Sequence, residues 1–157
     1  MSKDQKSRFQ KKMPLKNNRL AFYYKLSSNE RAFLRSLHLK KYRYQHKLFL
    51  IEGLKPVKEA LLANYPIESV YISSNLDEIS TLEIIGLSKN FSTKIYLISP
   101  KEIYQISSLK TPEGIIAVGK INERDFEFLD EDDIPALYLW QVSDPGNLGT
   151  IIRTSLW

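Results

Sequence analysis

Asp144 to Thr154, D-P-G-N-L-G-T-I-I-R-T, hold the densest set of groups able to do chemistry in this 157-residue sequence. Pro145 and Gly146 shape a turn, and Asn147 is suited to cap the helix that follows. Gly149 removes a side chain where a ligand or another backbone would approach closely. Arg153 comes four residues later, one helical turn along the same face. A helix N-terminus behind a strand is where α/β sheets hold anions, and a guanidinium adds a permanently charged fork suited to phosphate. An ordinary strand-to-helix turn with a solvent-facing arginine has the same spacing, and on spacing alone it is the commoner outcome.

A second constellation runs from His38 to Lys47. Lys40, Lys41, Arg43 and Lys47 could contact phosphates, while Tyr42 and Tyr44 could stack on unpaired bases. The alternative is a helix C-terminus whose cations complement the macrodipole, with the tyrosines packed inward. The residues by themselves leave both open. Glu52, between an apolar run and Gly53, reads as a structural partner for a nearby cation such as Arg43 rather than as an acid–base group.

The charge distribution favours an anionic partner. Residues 1–50 hold 14 Lys/Arg against 2 Asp/Glu, whereas residues 51–157 hold 9 against 16. Nucleic acid is the leading partner for such polarity, and a solvated basic tail is the plain alternative. The sequence has no cysteine, which excludes disulfides and thiolate metal sites, and its 2 histidines argue against a His-rich metal centre. No metal site is expected. No apolar run has the length of a membrane span, and the first residues lack the apolar stretch of a signal peptide. A cytoplasmic location is the default expectation.

These groups need elements to position them. Residues 1–26 read as a basic flexible arm. Ser27-Ser28-Asn29-Glu30 fits a capping box that opens a helix with Ala32, Phe33, Leu34 and Leu37 on its core side, ending near Leu39. Strands are expected over 48–51, 67–73, 94–98 and 115–119, and helices over about 54–63, 76–89 and 100–109. Pro56 and Pro100 are tolerated in first helical turns. Strands alternating with helices over residues 27–120 imply a mostly parallel, helix-covered sheet. Residues 121–135, rich in acid, read as a linker; a carboxylate metal cluster is the rarer alternative. The apolar run Ala136–Trp140 and the helix after it read as the opening strand and helix of a second α/β domain over 136–157. One strand and a helix stub cannot bury such a domain's sheet, so the sequence is expected to stop within it, at Trp157.

The motifs also resemble a known family. Q-V-S-D-P-G-N-L-G-T-I-I-R-T is similar to the first signature motif of the SpoU (TrmH-type) RNA ribose methyltransferases of the knotted SPOUT group. S-S-N-E-R-A-F-L-R-S-L, K-K-Y-R, L-F-L-I-E-G-L-K-P-V-K-E-A and T-P-E-G-I-I-A-V resemble, in order, segments of that family's substrate-binding domain. The resemblance implies a small α/β/α sandwich like certain ribosomal proteins, followed by the start of a truncated knotted domain. It further implies S-adenosylmethionine as cofactor of the intact enzyme, rRNA or tRNA as substrate, transfer to a ribose 2′-hydroxyl, and a homodimer. Carried over by motif, Arg153 and Asn147 are the catalytic candidates, and Gly149, Pro145 and Gly146 the turn. K-K-Y-R favours the RNA-binding reading of Lys40, Lys41, Tyr42, Arg43, Tyr44 and Lys47. A guanidinium titrating above about pH 12 is a poor free base, so Arg153 is better suited to orient a phosphate and stabilise alkoxide charge. The later cofactor motifs of the family lie beyond this sequence, so the chain alone is expected to bind no cofactor and to be inactive. A stand-alone, non-catalytic RNA-binding module is the rival reading.

Overall fold

The computed structural model describes residues 9–14, 20–88, 93–122 and 137–155, with side chains from Tyr24 onward. The chain divides into two compact units, Met1–Glu123 and Arg124–Trp157. The first unit contains strands β1 (Phe9–Pro14), β2 (Leu20–Tyr24), β3 (Leu48–Glu52), β4 (Ile67–Ser73), β5 (Lys94–Ile98) and β6 (Ile115–Lys120). They form one sheet in the order β1-β2-β5-β4-β6-β3. Its helices are α1 (Ser28–Ser36), α2 (Lys40–His46), α3 (Leu54–Leu62), α4 (Glu78–Leu87) and α5 (Pro100–Ile106); α6 (Pro145–Ser155) lies in the second unit.

The period-two alternation of the central strands sends side chains to two separate cores. On one face Leu34 and Leu37, with Ile103 and Ile106 of α5, pack against Tyr71 and Ile116. On the other, Val57 and Leu61 of α3 and Ile84 of α4 cover Val70, Ile72 and Ile115. Because β4 is covered on both faces, its sequence, I-E-S-V-Y-I-S, is buried at every position but Glu68. The expected α/β/α sandwich is the architecture observed.

Two local caps set helix starts. Ser27 Oγ accepts from the Glu30 amide at 3.2 Å while the Glu30 carboxylate accepts from the Ser27 amide at 2.7 Å. Ser99 and Glu102 repeat this box at α5, with Pro100 in the first turn. The buried Glu102 also accepts from the Leu26 amide at 2.8 Å, so the exit of β2 is tied to α5.

Four expectations change. The sheet is mixed rather than mostly parallel: β4 and β5 are parallel, but β6 runs antiparallel to both β3 and β4. The short α5 advances the chain only ~10 Å. Residues 107–114 then deliver it to the carboxyl ends of β3 and β4, where the Ser73 amide bonds to the Gly114 carbonyl at 2.7 Å. Entering from that end, β6 must run against its neighbours. The arm is not featureless either, since β1 pairs antiparallel with β2 and β2 extends the sheet through Tyr23 and Leu97. L-A-F-Y-Y has strong strand propensity, which the arm's overall charge conceals. Lys3, Lys6, Arg8, Lys16 and Arg19 lie outside the described residues.

Helix α1 buries Leu34, and Leu37 follows it into the core, but Ala32 and Phe33 face outward. Three consecutive residues span about 200° of a helix and cannot share one core face. In the second unit Leu137–Trp140 form no strand. A strand satisfies its backbone only by pairing, and among the described residues of that unit no strand stands beside them. The acidic stretch expected as a linker lies outside the described residues except for Ile121 and Asn122, as do Ala136, Leu156 and Trp157. Among the described residues no helix is long and apolar enough to cross a membrane, and no group of His, Cys, Asp or Glu is placed to hold a metal ion.

Candidate nucleic-acid interface

The basic stretch after α1 is a helix of its own. Leu37 is buried and anchors the end of α1, Leu39 turns extended, and α2 starts at Lys40 without a side-chain cap. Lys47 closes it in the left-handed region at φ 54°. No residue of α2 is buried, so burial does not hold this helix. Arg43 does much of that work: its Nη1 donates to the His38 carbonyl at 2.6 Å and the Leu37 carbonyl at 3.3 Å, stapling the α1–α2 turn. The Arg43 guanidinium, in the last turn, also complements the helix dipole.

With α2 so oriented, Lys40, Lys41, Tyr44 and His46 face solvent. The Lys40 ammonium sits 5.7 Å from the centre of the Tyr44 ring, one turn away, and Tyr44 is 55% exposed. Lys41 lies 5.9 Å from the Tyr42 ring centre. These distances lie within cation–π range, and an exposed pair of this kind contributes about 0.5–1 kcal/mol. The structure therefore brings Lys40, Lys41, Tyr42, Arg43, Tyr44 and Lys47 onto one short helix and its cap. Inward packing of Tyr44 is excluded by its exposure, and Tyr42 is half-buried.

Glu52 has partners other than the one expected. Its carboxylate accepts from the hydroxyl of Ser107 and, at 2.7 Å, from that of Ser108, and Nδ1 of His38 lies 3.9 Å away. His38 Nε2 is 2.8 Å from the Ile106 carbonyl. Arg43 is spent on the turn instead. Glu52 is a structural partner, as read, but it joins the end of β3 to the end of α5.

In the second unit the cap is Asp144, not Asn147. Asp144 Oδ1 accepts from the Asn147 amide at 2.7 Å, which puts Pro145 and Gly146 inside the first turn of α6 rather than in a turn before it. Proline fits the first helical position because its missing N–H has no partner to lose there. A Cβ added to Gly149 would meet only the Arg153 guanidinium, at 3.5 Å, so the expected shared face exists and is open. Arg153 Nη2 reaches Thr150 Oγ1 at 3.4 Å. An open groove is lined by Gln141, Val142, Asp144, Asn147, Thr150 and Ile151. Asn147 borders it, and Gly149 and Arg153 do not: Arg153 stands six positions after Asn147, about 240° around the helix. The two catalytic candidates are thus not brought together. The groove beside Asn147 is open rather than enclosed.

Sequence reasoning missed two surface groups, Phe33 and His46. The signal for Phe33 was its place one position before Leu34, off the core stripe; the signal for His46 was its spacing four residues after Tyr42.

The descriptor of the MRM3-like substrate binding domain matches residues 32–117, which run from α1 through α2 into β6. The chain belongs to this family. The chain is similar over 121 residues, at 31% identity, to the Bacillus subtilis (strain 168) 23S rRNA (guanosine(2553)-2′-O)-methyltransferase RlmP, covering 77% of this chain and 44% of that protein. A TrmH-family structure from Porphyromonas gingivalis matches with a TM-score of 0.61 and 28% identity, covering 83% of this chain and 48% of the other. The SpoU methyltransferase AviRb from Streptomyces viridochromogenes, solved in complex with AdoMet, shares the fold at a TM-score of 0.60 and 18% identity, over 83% of this chain and 49% of its own. The chain spans about half the length of the relatives it matches. The kinship with SpoU-type RNA 2′-O-methyltransferases that the motifs implied is borne out.

Proposed function

We propose that the first unit is the RNA-binding part of an S-adenosylmethionine-dependent 2′-O-ribose methyltransferase that acts on rRNA or tRNA. One observation carries the reading: the matched substrate-binding domain contains α2, which buries no residue and exposes Lys40, Lys41 and Tyr44 to solvent. Lys40, Lys41 and Lys47 supply phosphate contacts, Tyr42 and Tyr44 stack on bases, and Arg43 holds the helix in place. Asn147, Gly149 and Arg153 belong to the motif that would face the target ribose, where Arg153 orients a phosphate and stabilises developing alkoxide charge. S-adenosylmethionine would donate the methyl group in the whole enzyme, acting as a homodimer. The chain alone neither binds the cofactor nor methylates.

The test is a salt titration of RNA binding. Affinity of the 157-residue chain for a structured rRNA fragment falls steeply with salt, because each Lys–phosphate contact releases condensed counterions. Lys40→Ala with Lys41→Ala weakens binding and lowers the salt slope by about 2. Unchanged affinity and slope would place the RNA site elsewhere.

A further inference from the structure

Beside the lysines, three rings from two helices line up on the surface. His46 lies edge-on to Phe33, with ring centres 5.0 Å apart and planes at 79°. It is parallel to Tyr42 within 10°, with centres 6.4 Å apart. Phe33 is 36% exposed, His46 is exposed and Tyr42 is half-buried. Only the Tyr42–His46 pair follows from helical spacing. Phe33 comes from α1, and it reaches the others because Arg43 fixes the turn between the two helices. The strip carries ammonium groups along its side, with Lys41 5.9 Å from Tyr42.

Lysines on phosphates give affinity without selecting a nucleic-acid form. Aromatic faces do select, since the bases of a duplex stack on one another while those of a loop or single strand offer a free face. We infer that Phe33, Tyr42 and His46 form a base-stacking platform that makes this domain prefer unpaired ribonucleotides. The inference rests on the RNA reading of α2 and adds to it a ligand form and two residues, Phe33 and His46. An unpaired base adds a layer to the Tyr42–His46 stack while its phosphates meet Lys40 and Lys41.

The experiment uses the full chain, a labelled single-stranded RNA of about 12 nucleotides, and the duplex it forms with its complement. Fluorescence anisotropy at one moderate salt concentration reads both affinities. Phe33→Ala and His46→Ala should each weaken single-strand binding about tenfold and leave duplex binding within about twofold. His46→Phe and Phe33→Tyr keep a ring at each position and should restore the preference, which separates stacking from histidine's charge and from a folding defect. Equal weakening of both RNAs by the alanine variants, or none, overturns the platform; loss on Lys40→Ala with Lys41→Ala would then still uphold the basic interface. If the lysine variant also binds both RNAs like the parent, the interface itself is wrong and the platform falls with it.

Discussion

Leu48–Glu52 leads through Gly53 into α3, and Leu137–Trp140 leads through Asp144 into α6; both are apolar runs followed by a turn and an amphipathic helix. In the first unit the run is a strand paired with β6, and the helix buries Val57 and Leu61 to 0% and 2% exposure. In the second unit the run is no strand, and α6 buries nothing: Leu148 is 37% and Ile152 50% exposed. The helix forms in both places because its backbone hydrogen bonds are internal, and α6 adds a local cap, Asp144, three residues from the amide it serves. The strand forms only where another strand supplies its partners. Local grammar writes helices; sheets are written by neighbours.

The widest contrast should appear in paired truncations. Leu61→Ala should destabilise the first unit by about 2–5 kcal/mol, through lost burial plus a cavity. Ile152→Ala, on an exposed face, should change stability by no more than about 0.5 kcal/mol. Urea unfolding followed by circular dichroism measures both, and similar losses at the two sites would break the contrast.

A smaller effect separates the units by pH. Tyr71 stacks on Tyr96, which packs on Tyr24, with ring centres 5.2 and 4.7 Å apart. Burial pushes the Tyr71 hydroxyl up to about 12, with the hydrogen bond to Ser69 opposing it and the Tyr96 and Glu30 charges adding to it. The folded state then keeps this proton where the unfolded chain loses it. Its stabilisation is fully present below about pH 10 and is lost as pH rises toward about 12, by about 2–3 kcal/mol. In thermal melts across that window the parent should lose stability more steeply with pH than Tyr71→Phe does. A parent whose melting falls no more steeply than the variant's would show that Tyr71 titrates normally.

The smallest effects belong to α6. Asp144→Ala removes its cap and should cost that helix about 1 kcal/mol. Gly149→Ala, whose new methyl meets only the Arg153 side chain, should return up to about 1 kcal/mol through helix propensity. Hydrogen exchange over residues 145–155 should respond to both while the first unit's protection stays unchanged. Protection that ignores both substitutions would mean that α6 is held by packing rather than by its own caps.

Much of the first unit was legible because its signals are short-range. The capping box at Ser27 and Glu30, the proline at the start of α5 and the largely apolar run of Ile67–Ser73 each act within a few positions. Legibility failed where a choice depended on something distant. Phe33 looked like core because it stands beside Leu34, and only the docking of α1 shows which neighbour faces inward. Arg43 looked like a phosphate ligand because it stands among lysines, yet its guanidinium reaches back to the His38 carbonyl. Glu52 looked ready for a cation, and its hydroxyl partners arrive from Ser107 and Ser108, more than fifty positions along the chain.

The sequence by itself determined the starts of α1 and α5, through their capping boxes, and the basic charge of the first fifty residues, since the capping groups lie within one turn of each other. Tertiary structure alone decided that β6 runs against β3 and β4, because α5 is too short to carry the chain back across the sheet. It alone decided that Phe33 joins Tyr42 and His46, through the turn that Arg43 staples, and that Asn147 and Arg153 point apart around α6. Strand direction and the meeting of side chains from separate elements are set by long-range closure of the chain, and the residues involved carry no local mark of it.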